Sequence, residues 1–263
     1  MSKKAILAVS FGTSHWDTLE KNIAAIERDL AAAYPDWEVR RAFTSGMILR
    51  KLRQRDGVEI DDTAQALARL HREGFDTVVV QPTHVMNGEE YDKLAEQAAP
   101  WEERFARFVV GRPLLTGAED YAALASAVAD SLPPIREDEA VVLMGHGTEH
   151  FANAAYAALE DVFHDLGRKE VFVGTVEGYP PLEQVMRRMA DRKYRSRALL
   201  APLMVVAGDH AKNDMAGEEE DSWESQLRAA GYETRCVLRG LGEVPAVRAM
   251  FVEHAGRAMD ELG

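Results

Sequence analysis

Short apolar runs alternate along the chain with longer segments in which apolar residues recur at helical spacing. The apolar runs 6–9, 78–80, 140–144 and 197–201 have the length and composition of buried strands. Between the runs, Leu19, Ile23 and Ile26 exemplify a helical stripe. This alternation predicts an α/β fold, in which parallel strands are covered by helices on both faces.

The chain also repeats itself. Residues 78–90 align with residues 198–210 through an apolar run, a proline and a glycine, and residues 6–13 align with residues 141–148. Repetition of whole strand and loop units indicates duplicated lobes. Each lobe is therefore expected to contain a parallel four-stranded sheet flanked by helices.

The two copies differ at the positions that follow the strands. The alignment sets Phe11 opposite His146, and Glu90 opposite His210. Packing alone does not explain an exchange of an apolar or acidic residue for histidine. These positions therefore mark a candidate site.

The boundary between the lobes is predicted at the tandem Pro133–Pro134, which stops the preceding helix and precedes a charged run. This gives an N-terminal lobe at 1–132 and a C-terminal lobe at 133–263. The C-terminal lobe carries the candidate histidines.

Composition narrows the classes of partner. The chain of 263 residues has 31 Lys and Arg against 44 Asp and Glu, so its net charge of −13 opposes binding to nucleic acid or to an anionic membrane. A single cysteine, Cys236, excludes an intramolecular disulfide framework and a multi-cysteine metal site. The first apolar run is interpreted as a strand, not as a signal peptide, and no run is long enough to span a bilayer. We therefore expect a cytoplasmic protein.

Three residues each follow a predicted strand of the second half, namely His146, Glu177 and His210. Ligands of open parallel sheets bind outside the carboxyl ends of the strands. Two neutral imidazoles and one carboxylate form a site for a borderline divalent cation, with positions left open for substrate. The alternatives are a loop histidine that faces water, a helix N-cap for Glu177 and a histidine at a helix start for His210.

The corresponding loop of the first half offers Glu89, Glu90 and His84. If the lobes face each other, Glu90 would point into the same cleft as His210 and could exchange protons or hold metal there. Three roles stay open for His84: support of a metal-binding residue, an axial ligand to a bound cofactor, or a structural histidine.

Other functions lack their motifs. A phosphatase requires an arginine immediately before the histidine of the 145–148 loop, and Gly145 stands there. The sequence has no glycine-rich dinucleotide motif after its first strand and no P-loop. Nucleotide binding is therefore not expected.

Five segments together are similar to a known family. Residues 10–14, 84–91, 145–148, 177–180 and 208–214 resemble the anaerobic cobalt chelatases of cobalamin synthesis, the CbiK type. The resemblance implies a class II chelatase fold, with two similar α/β lobes around a cleft that holds a tetrapyrrole. It also implies insertion of Co(II) into sirohydrochlorin without ATP.

The same resemblance implies roles for individual residues. His146 and His210 would bind the metal and take part in catalysis, Glu177 would be the third metal ligand, and Glu90 would be a catalytic carboxylate. Substrate contacts are expected from Ser10, Phe11 and Glu89. No tightly bound cofactor is expected, since Co(II) is a substrate, with Fe(II) as the alternative metal.

Two other functions are compatible with these residues. One is a sirohydrochlorin ferrochelatase on the route to sirohaem or haem. The other is a metal or haem carrier without turnover, in which His84 would matter more than Glu90. The expected partners are a sirohydrochlorin-type tetrapyrrole and a divalent metal, and a homo-oligomer stays open.

A polycarboxylate substrate requires a local basic patch in this acidic chain. Arg50, Lys51, Arg53 and Arg55 form the densest basic run. The favoured interpretation of that run, however, is a solvated helix face.

Overall fold

The computed structural model describes residues 2–194 and 196–262. It contains two four-stranded sheets, in the orders β2-β1-β3-β4 and β6-β5-β7-β8, and every pair of neighbouring strands is parallel. The expected fold class is thereby confirmed. The strands are β1 (Lys4–Ser10), β2 (Glu38–Phe43), β3 (Thr77–Pro82), β4 (Arg107–Val110), β5 (Glu139–Gly145), β6 (Val171–Thr175), β7 (Arg197–Pro202) and β8 (Glu233–Cys236).

Helices connect and cover these strands, as the helical stripes predict. A short α1 continues through a π-helical turn, Leu19–Ile23, into α2, and a second π-helical turn covers His210–Met215. The α-helices are α1 (Trp16–Thr18), α2 (Ala24–Ala33), α3 (Gly46–Asp56), α4 (Thr63–Arg72), α5 (Glu89–Ala98), α6 (Ala118–Ser131), α7 (Ala154–Asp165), α8 (Leu182–Asp191), α9 (Trp223–Ala229) and α10 (Pro245–Asp260). None of the helices described combines the length and apolar character that a bilayer crossing requires.

The chain forms two compact units, which differ in their boundaries from the predicted lobes 1–132 and 133–263. Unit 1 comprises the chain up to Thr116 together with α10 and the residues after it, and unit 2 comprises Gly117–Val244. The physical reason is helix packing. Helix α6 packs against α7 in unit 2, ahead of the tandem proline that was expected to separate the lobes.

Helix α10 returns to unit 1, where it packs against α2, β3 and β4. The hydroxyl of Tyr34 donates a hydrogen bond of 2.9 Å to the carbonyl of Val252, and Arg248 forms an ion pair of 2.6 Å with Asp29. Gly256 lies where an added Cβ would come within 2.5 Å of the Tyr34 hydroxyl. The C-terminal helix therefore completes the first sheet and not the second.

The internal repeat is reproduced in the backbone hydrogen bonds of each unit. In unit 1 the amide of Ser45 donates to the carbonyl of Phe11, at 3.2 Å, and in unit 2 the amide of Glu177 donates to the carbonyl of His146, at 2.8 Å. Gly12 and Gly147, the next residues, both have positive φ, of 101° and 84°. The structure thus makes Phe11 and Ser45 equivalent to His146 and Glu177.

The second pair of loops is equivalent in the same way. The amide of Asp92 bonds to the carbonyl of Gly88, and the amide of Lys212 bonds to the carbonyl of Gly208. Each bond joins the glycine of the loop after β3 or β7 to the residue four positions later. Glu90 and His210 each lie two residues after that glycine, so they are equivalent, as the alignment predicts.

Apolar side chains beneath the helices hold each sheet. The central strands are fully buried in their apolar positions, as in Ile6 and Leu7 of β1 and Val141 and Val142 of β5. Burial of a Val, Leu or Ile side chain is worth about 1.5–3 kcal/mol. The strand ends, and the loops that follow them, are therefore held on rigid supports.

His84 follows β3 and is buried in unit 1. Its side chain is 9% exposed, its Nε2 lies 3.4 Å from the hydroxyl of Thr44, and its Nδ1 has no hydrogen-bond partner among the described residues. Burial, and then the charge of Lys93, lower the pKa of His84 from 6.5 to about 4. In the folded chain this imidazole is therefore neutral at neutral pH.

This burial predicts a pH dependence of stability. The unfolded chain, in which His84 titrates near 6.5, binds more protons than the folded chain between pH 6.5 and about 4. The stabilisation is thus complete above about pH 6.5 and decreases as pH falls through this window, by up to about 3 kcal/mol. Urea unfolding at a series of pH values should show a smaller decrease for His84→Asn than for the natural chain. Parallel pH dependences of the two proteins would contradict the buried neutral imidazole.

Candidate metal centre

The topology of unit 2 creates a crevice at the carboxyl edge of its sheet. The chain leaves β5 for β6 on one side, and then crosses to β7 on the other side of β5. Loops that leave neighbouring strands in opposite directions open a crevice at this switch point, where ligands of open α/β sheets bind. His146 follows β5 and His210 follows β7, so both histidines border the crevice.

The structure brings His146, Glu177 and His210 together. One ligand atom from each of the three lies within 4.8 Å of the others. The two imidazole rings are perpendicular, with centroids 4.7 Å apart, and Nδ1 of His146 lies 3.8 Å from Oε2 of Glu177. The side chains of these residues are 41%, 35% and 58% exposed for His146, His210 and Glu177. The cluster is thus accessible to an ion and to a further ligand.

The donor set suits a borderline divalent cation. Ligand atoms around a tetrahedral ion with bonds of about 2.1 Å lie about 3.4 Å apart. Small side-chain rotations of three exposed or half-exposed residues would reach this spacing from the observed one. Two imidazoles and one carboxylate leave at least one position open, as in catalytic metal sites.

Asp214 orients His210 and was not singled out in the sequence. Its Oδ2 lies 2.5 Å from Nδ1 of His210, four residues earlier on the same face of the π-helical turn. A carboxylate on one imidazole nitrogen fixes the tautomer, makes the other nitrogen the ligand and raises its basicity. The signal that could have found Asp214 is the His-x-x-x-Asp spacing in a predicted helix.

The loop that carries His146 is shaped by its two glycines. An added Cβ at Gly145 would lie 2.2 Å from the ring of Tyr156, and one at Gly147 would lie 2.6 Å from the amide of Gly178. The hydroxyl of Tyr156 in turn accepts a hydrogen bond of 3.3 Å from the amide of Gly147. Close packing therefore fixes the backbone on both sides of the imidazole.

Asn153 joins the loop of His146 to the loop of Glu177. Its Oδ1 accepts from the amide of Thr148 at 3.1 Å, and its Nδ2 donates to the carbonyl of Tyr179 at 2.6 Å. A single amide side chain thus sets the spacing between the two loops. Its position at the start of α7 gave no sequence signal for this role.

Glu177 is not a helix cap. Helix α8 begins at Leu182, with Pro181 at the N-cap position and no side-chain cap bond. The carboxylate of Glu177 lies beside the imidazole of His146 instead, with Oε2 3.8 Å from Nδ1. The capping alternative for Glu177 is therefore wrong.

Unit 1 has different chemistry at the equivalent positions. The side chain of Glu90 is 35% exposed, and its Oε2 is buried without a hydrogen-bond partner among the described residues. The ammonium of Lys93 lies 3.9 Å from this carboxylate and also donates to the carbonyl of Thr44. Glu89, by contrast, is exposed at the first residue of α5.

The two residues expected to contact substrate after β1 have different environments. Phe11 is 41% exposed, which leaves its ring accessible to a ligand. Ser10 is 2% exposed, and its hydroxyl forms a hydrogen bond of 2.7 Å with that of Thr83. Its side chain thus links β1 to the end of β3, and contact with substrate stays a prediction.

Comparison with known proteins gives the family. The family described as cobalt chelatase (CbiK) matches residues 4–260. The sirohydrochlorin cobaltochelatase of Salmonella typhimurium is 48% identical over 258 residues, which cover 98% of this chain and 97% of that protein. The sirohydrochlorin cobaltochelatase CbiKC of Nitratidesulfovibrio vulgaris is 33% identical over 265 residues, covering 100% of this chain and 93% of that protein.

Solved structures agree on the fold. SirB from Bacillus subtilis with Fe3+ superposes with a TM-score of 0.68 at 16% identity, over 98% of this chain and 97% of that one. CbiX, described as the terminal enzyme of sirohaem biosynthesis in denitrifying bacteria, gives a TM-score of 0.55 at 18% identity, over 97% of this chain and 99% of that one. The class II chelatase fold implied by the motifs is confirmed, and the chain belongs to the CbiK family of cobalt chelatases.

Proposed function

We propose that this chain inserts Co(II) into sirohydrochlorin, without ATP, as a step of cobalamin biosynthesis. The observation that carries the proposal is the cluster of His146, Glu177 and His210 in a chain of the CbiK family. The names of the two curated relatives support the metal and the tetrapyrrole. No tightly bound cofactor is part of the proposal, because the metal ion is a substrate.

Insertion requires removal of water from the cation. Neutral imidazoles at His146 and His210 and the carboxylate of Glu177 would replace part of the hydration shell, while the open positions accept the pyrrole nitrogens. The hydrogen bond from His210 to Asp214 keeps that imidazole in one tautomer. The carboxylates of Glu177 and Asp214 would also offset the positive charge of the ion.

A macrocycle has large apolar faces, and the loops of the metal cluster carry exposed aromatic rings. Phe151 is 84% exposed and Tyr179 is 66% exposed. Asn153 binds the carbonyl of Tyr179, and so holds that residue beside the loop of His146. Aromatic rings that face solvent at a site are typical of surfaces that bind a flat apolar ligand.

Insertion also releases two N–H protons from the macrocycle, and these need acceptors. A histidine freed as the metal moves onto the ring is one, since a neutral imidazole has a basic nitrogen that can accept a proton. Glu90 is proposed as the other, because its carboxylate is partly exposed and occupies the position in unit 1 that His210 occupies in unit 2. Fe(II) insertion by the same residues is the alternative reaction, because this donor set is not selective among divalent metals.

The first prediction concerns the metal-binding histidines. His146→Ala and His210→Ala should each reduce the rate of Co(II) insertion by more than about 100-fold. Removal of a residue that only orients a metal ligand costs about 10- to 100-fold, and loss of a ligand should cost more. Insertion is measured from the absorbance of sirohydrochlorin with Co(II), and in parallel with Fe(II). His150→Ala is the matched control, because His150 lies in the same loop region but outside the cluster.

Near-natural rates in either variant, with an unchanged circular dichroism spectrum, would remove that histidine from the mechanism. A faster insertion of Fe(II) than of Co(II) by the natural chain would assign the alternative reaction.

The second prediction compares two adjacent carboxylates. Glu90→Gln should reduce the insertion rate by about 10²- to 10⁴-fold, the range typical of a lost general base, with little change in tetrapyrrole affinity. Glu89→Gln should have a smaller effect on the rate, because Glu89 is exposed at the start of α5. Single-turnover insertion and tetrapyrrole fluorescence give the two quantities. Equal rate losses, or a loss confined to affinity, would show that Glu90 is not the proton acceptor.

A further inference from the structure

One face of α3 in unit 1 combines an open surface depression with positive charge. The depression, of about 370 Å³, is lined by Met47, Arg50, Lys51, Gln54 and Arg55, all on this helix. Three of these side chains are cationic, although the chain carries a net charge of −13. We call these five residues the α3 basic face.

The arginines of this face differ in the internal ion pairs that they form. Arg55 donates to the carbonyl of Ser14 at 2.5 Å and pairs with Asp56 at 2.6 Å. Arg50, in contrast, is exposed and forms no hydrogen bond or ion pair with the residues that the structure describes. An exposed guanidinium beside a second cation, Lys51, lowers the cost of bringing an anion to this face.

The position of α3 connects this face to the ligand-binding edge of the sheet. The helix starts directly after β2, where Ser45 caps it by accepting from the amide of Ile48. The amide of Ser45 is bonded to the carbonyl of Phe11, the exposed aromatic residue at the end of β1. Met47, in the first turn, is 62% exposed. The surface therefore passes from apolar side chains at the sheet edge to cationic ones further along the helix.

We propose that the α3 basic face binds the peripheral carboxylates of the tetrapyrrole. The inference rests on the proposed function, because it concerns the substrate of that reaction. Sirohydrochlorin carries acetate and propionate groups around an apolar ring, which matches a surface with an apolar end and a cationic end. Guanidinium groups bind carboxylates through paired, charge-assisted hydrogen bonds. Arg50 and Lys51 are thus substrate-binding residues that set the preference for a polycarboxylate.

The test uses a double variant with a matched control on the same helix. Arg50→Gln combined with Lys51→Gln removes two charges of the face. The sequence groups Arg53 with this basic run, but the structure places Arg53 outside the face, where it pairs with Glu59 at 3.5 Å and is 62% exposed. Arg53→Gln therefore removes one charge from α3 without changing the face. Thermal unfolding checks that both proteins remain folded.

At low ionic strength the double variant should raise the KM for sirohydrochlorin by about threefold to tenfold, as expected for two exposed ion pairs, and leave kcat unchanged. Added salt should reduce the difference, since it screens exposed charges. Arg53→Gln should leave KM and kcat near their natural values. An unchanged KM in the double variant, or an equal rise in both variants, would overturn the proposal.

A binding measurement separates this inference from the proposed reaction. Quenching of porphyrin fluorescence reports the affinity for uroporphyrin, which has an acetate and a propionate on each ring, and for coproporphyrin, which has the propionates alone. The double variant should lose more affinity for uroporphyrin than for coproporphyrin. If the natural chain fails to insert metal but the double variant still loses more affinity for uroporphyrin than for coproporphyrin, the proposed function fails and the inference stands. Equal losses of affinity for the two porphyrins would overturn the inference while insertion by the natural chain is unaffected.

Discussion

The parallel pairing of β5 with β6 and β7 is the constraint on which the metal centre depends. Gly145 pairs with Thr175, and Met144 pairs with Pro202, so the three strands end at one edge of the sheet. A slip of one residue would move a ligand by about 3.3 Å and direct its side chain to the opposite face. Buried apolar residues along β5 prevent such a slip. At the proposed site, we therefore expect the affinity for a metal ion to depend on the packing of the sheet as well as on the ligands themselves.

The same scaffold in unit 1 shows that the fold does not determine the chemistry. Phe11, Ser45 and Glu90 occupy the positions of His146, Glu177 and His210, with the same backbone hydrogen bonds. An apolar ring and a hydroxyl are poor ligands for a divalent cation, and the carboxylate of Glu90 has an ammonium group 3.9 Å away. The two equivalent loop sets thus differ at three positions, and among the described residues the set in unit 2 has the donors that the proposed metal site requires.

Much of this arrangement could be predicted from local sequence. The apolar runs gave the strands, and the internal alignment gave the correct pairs of equivalent residues, because both depend on short-range patterns. The sequence placed the three candidate ligands at strand ends in one site, and the structure brings them together. Strand order depends on long-range pairing, so the sequence alone did not show that β6 and β7 flank β5. Helix α10 was assigned to the second lobe for the same reason: its apolar residues do not specify which sheet they cover.

The supporting residues were harder to recognise than the ligands. Asp214 and Asn153 act through hydrogen bonds to a neighbouring loop or side chain, and carboxylates and amides of this kind are abundant in any soluble chain. Ligand residues follow strands and stand out by residue type, whereas orienting residues are defined only by three-dimensional contacts. The α3 basic face could be identified in the sequence as a basic run, but the open depression on that face could not.

We propose that His146, Glu177 and His210 hold the metal ion before it enters the macrocycle. X-ray absorption of Co(II) bound to the protein without tetrapyrrole tests this coordination. We expect a mixed nitrogen and oxygen coordination with the outer-shell scattering of two imidazoles, reduced to one imidazole in His210→Ala. A spectrum of fully hydrated Co(II), or one that His210→Ala leaves unchanged, would show that these residues do not hold the ion.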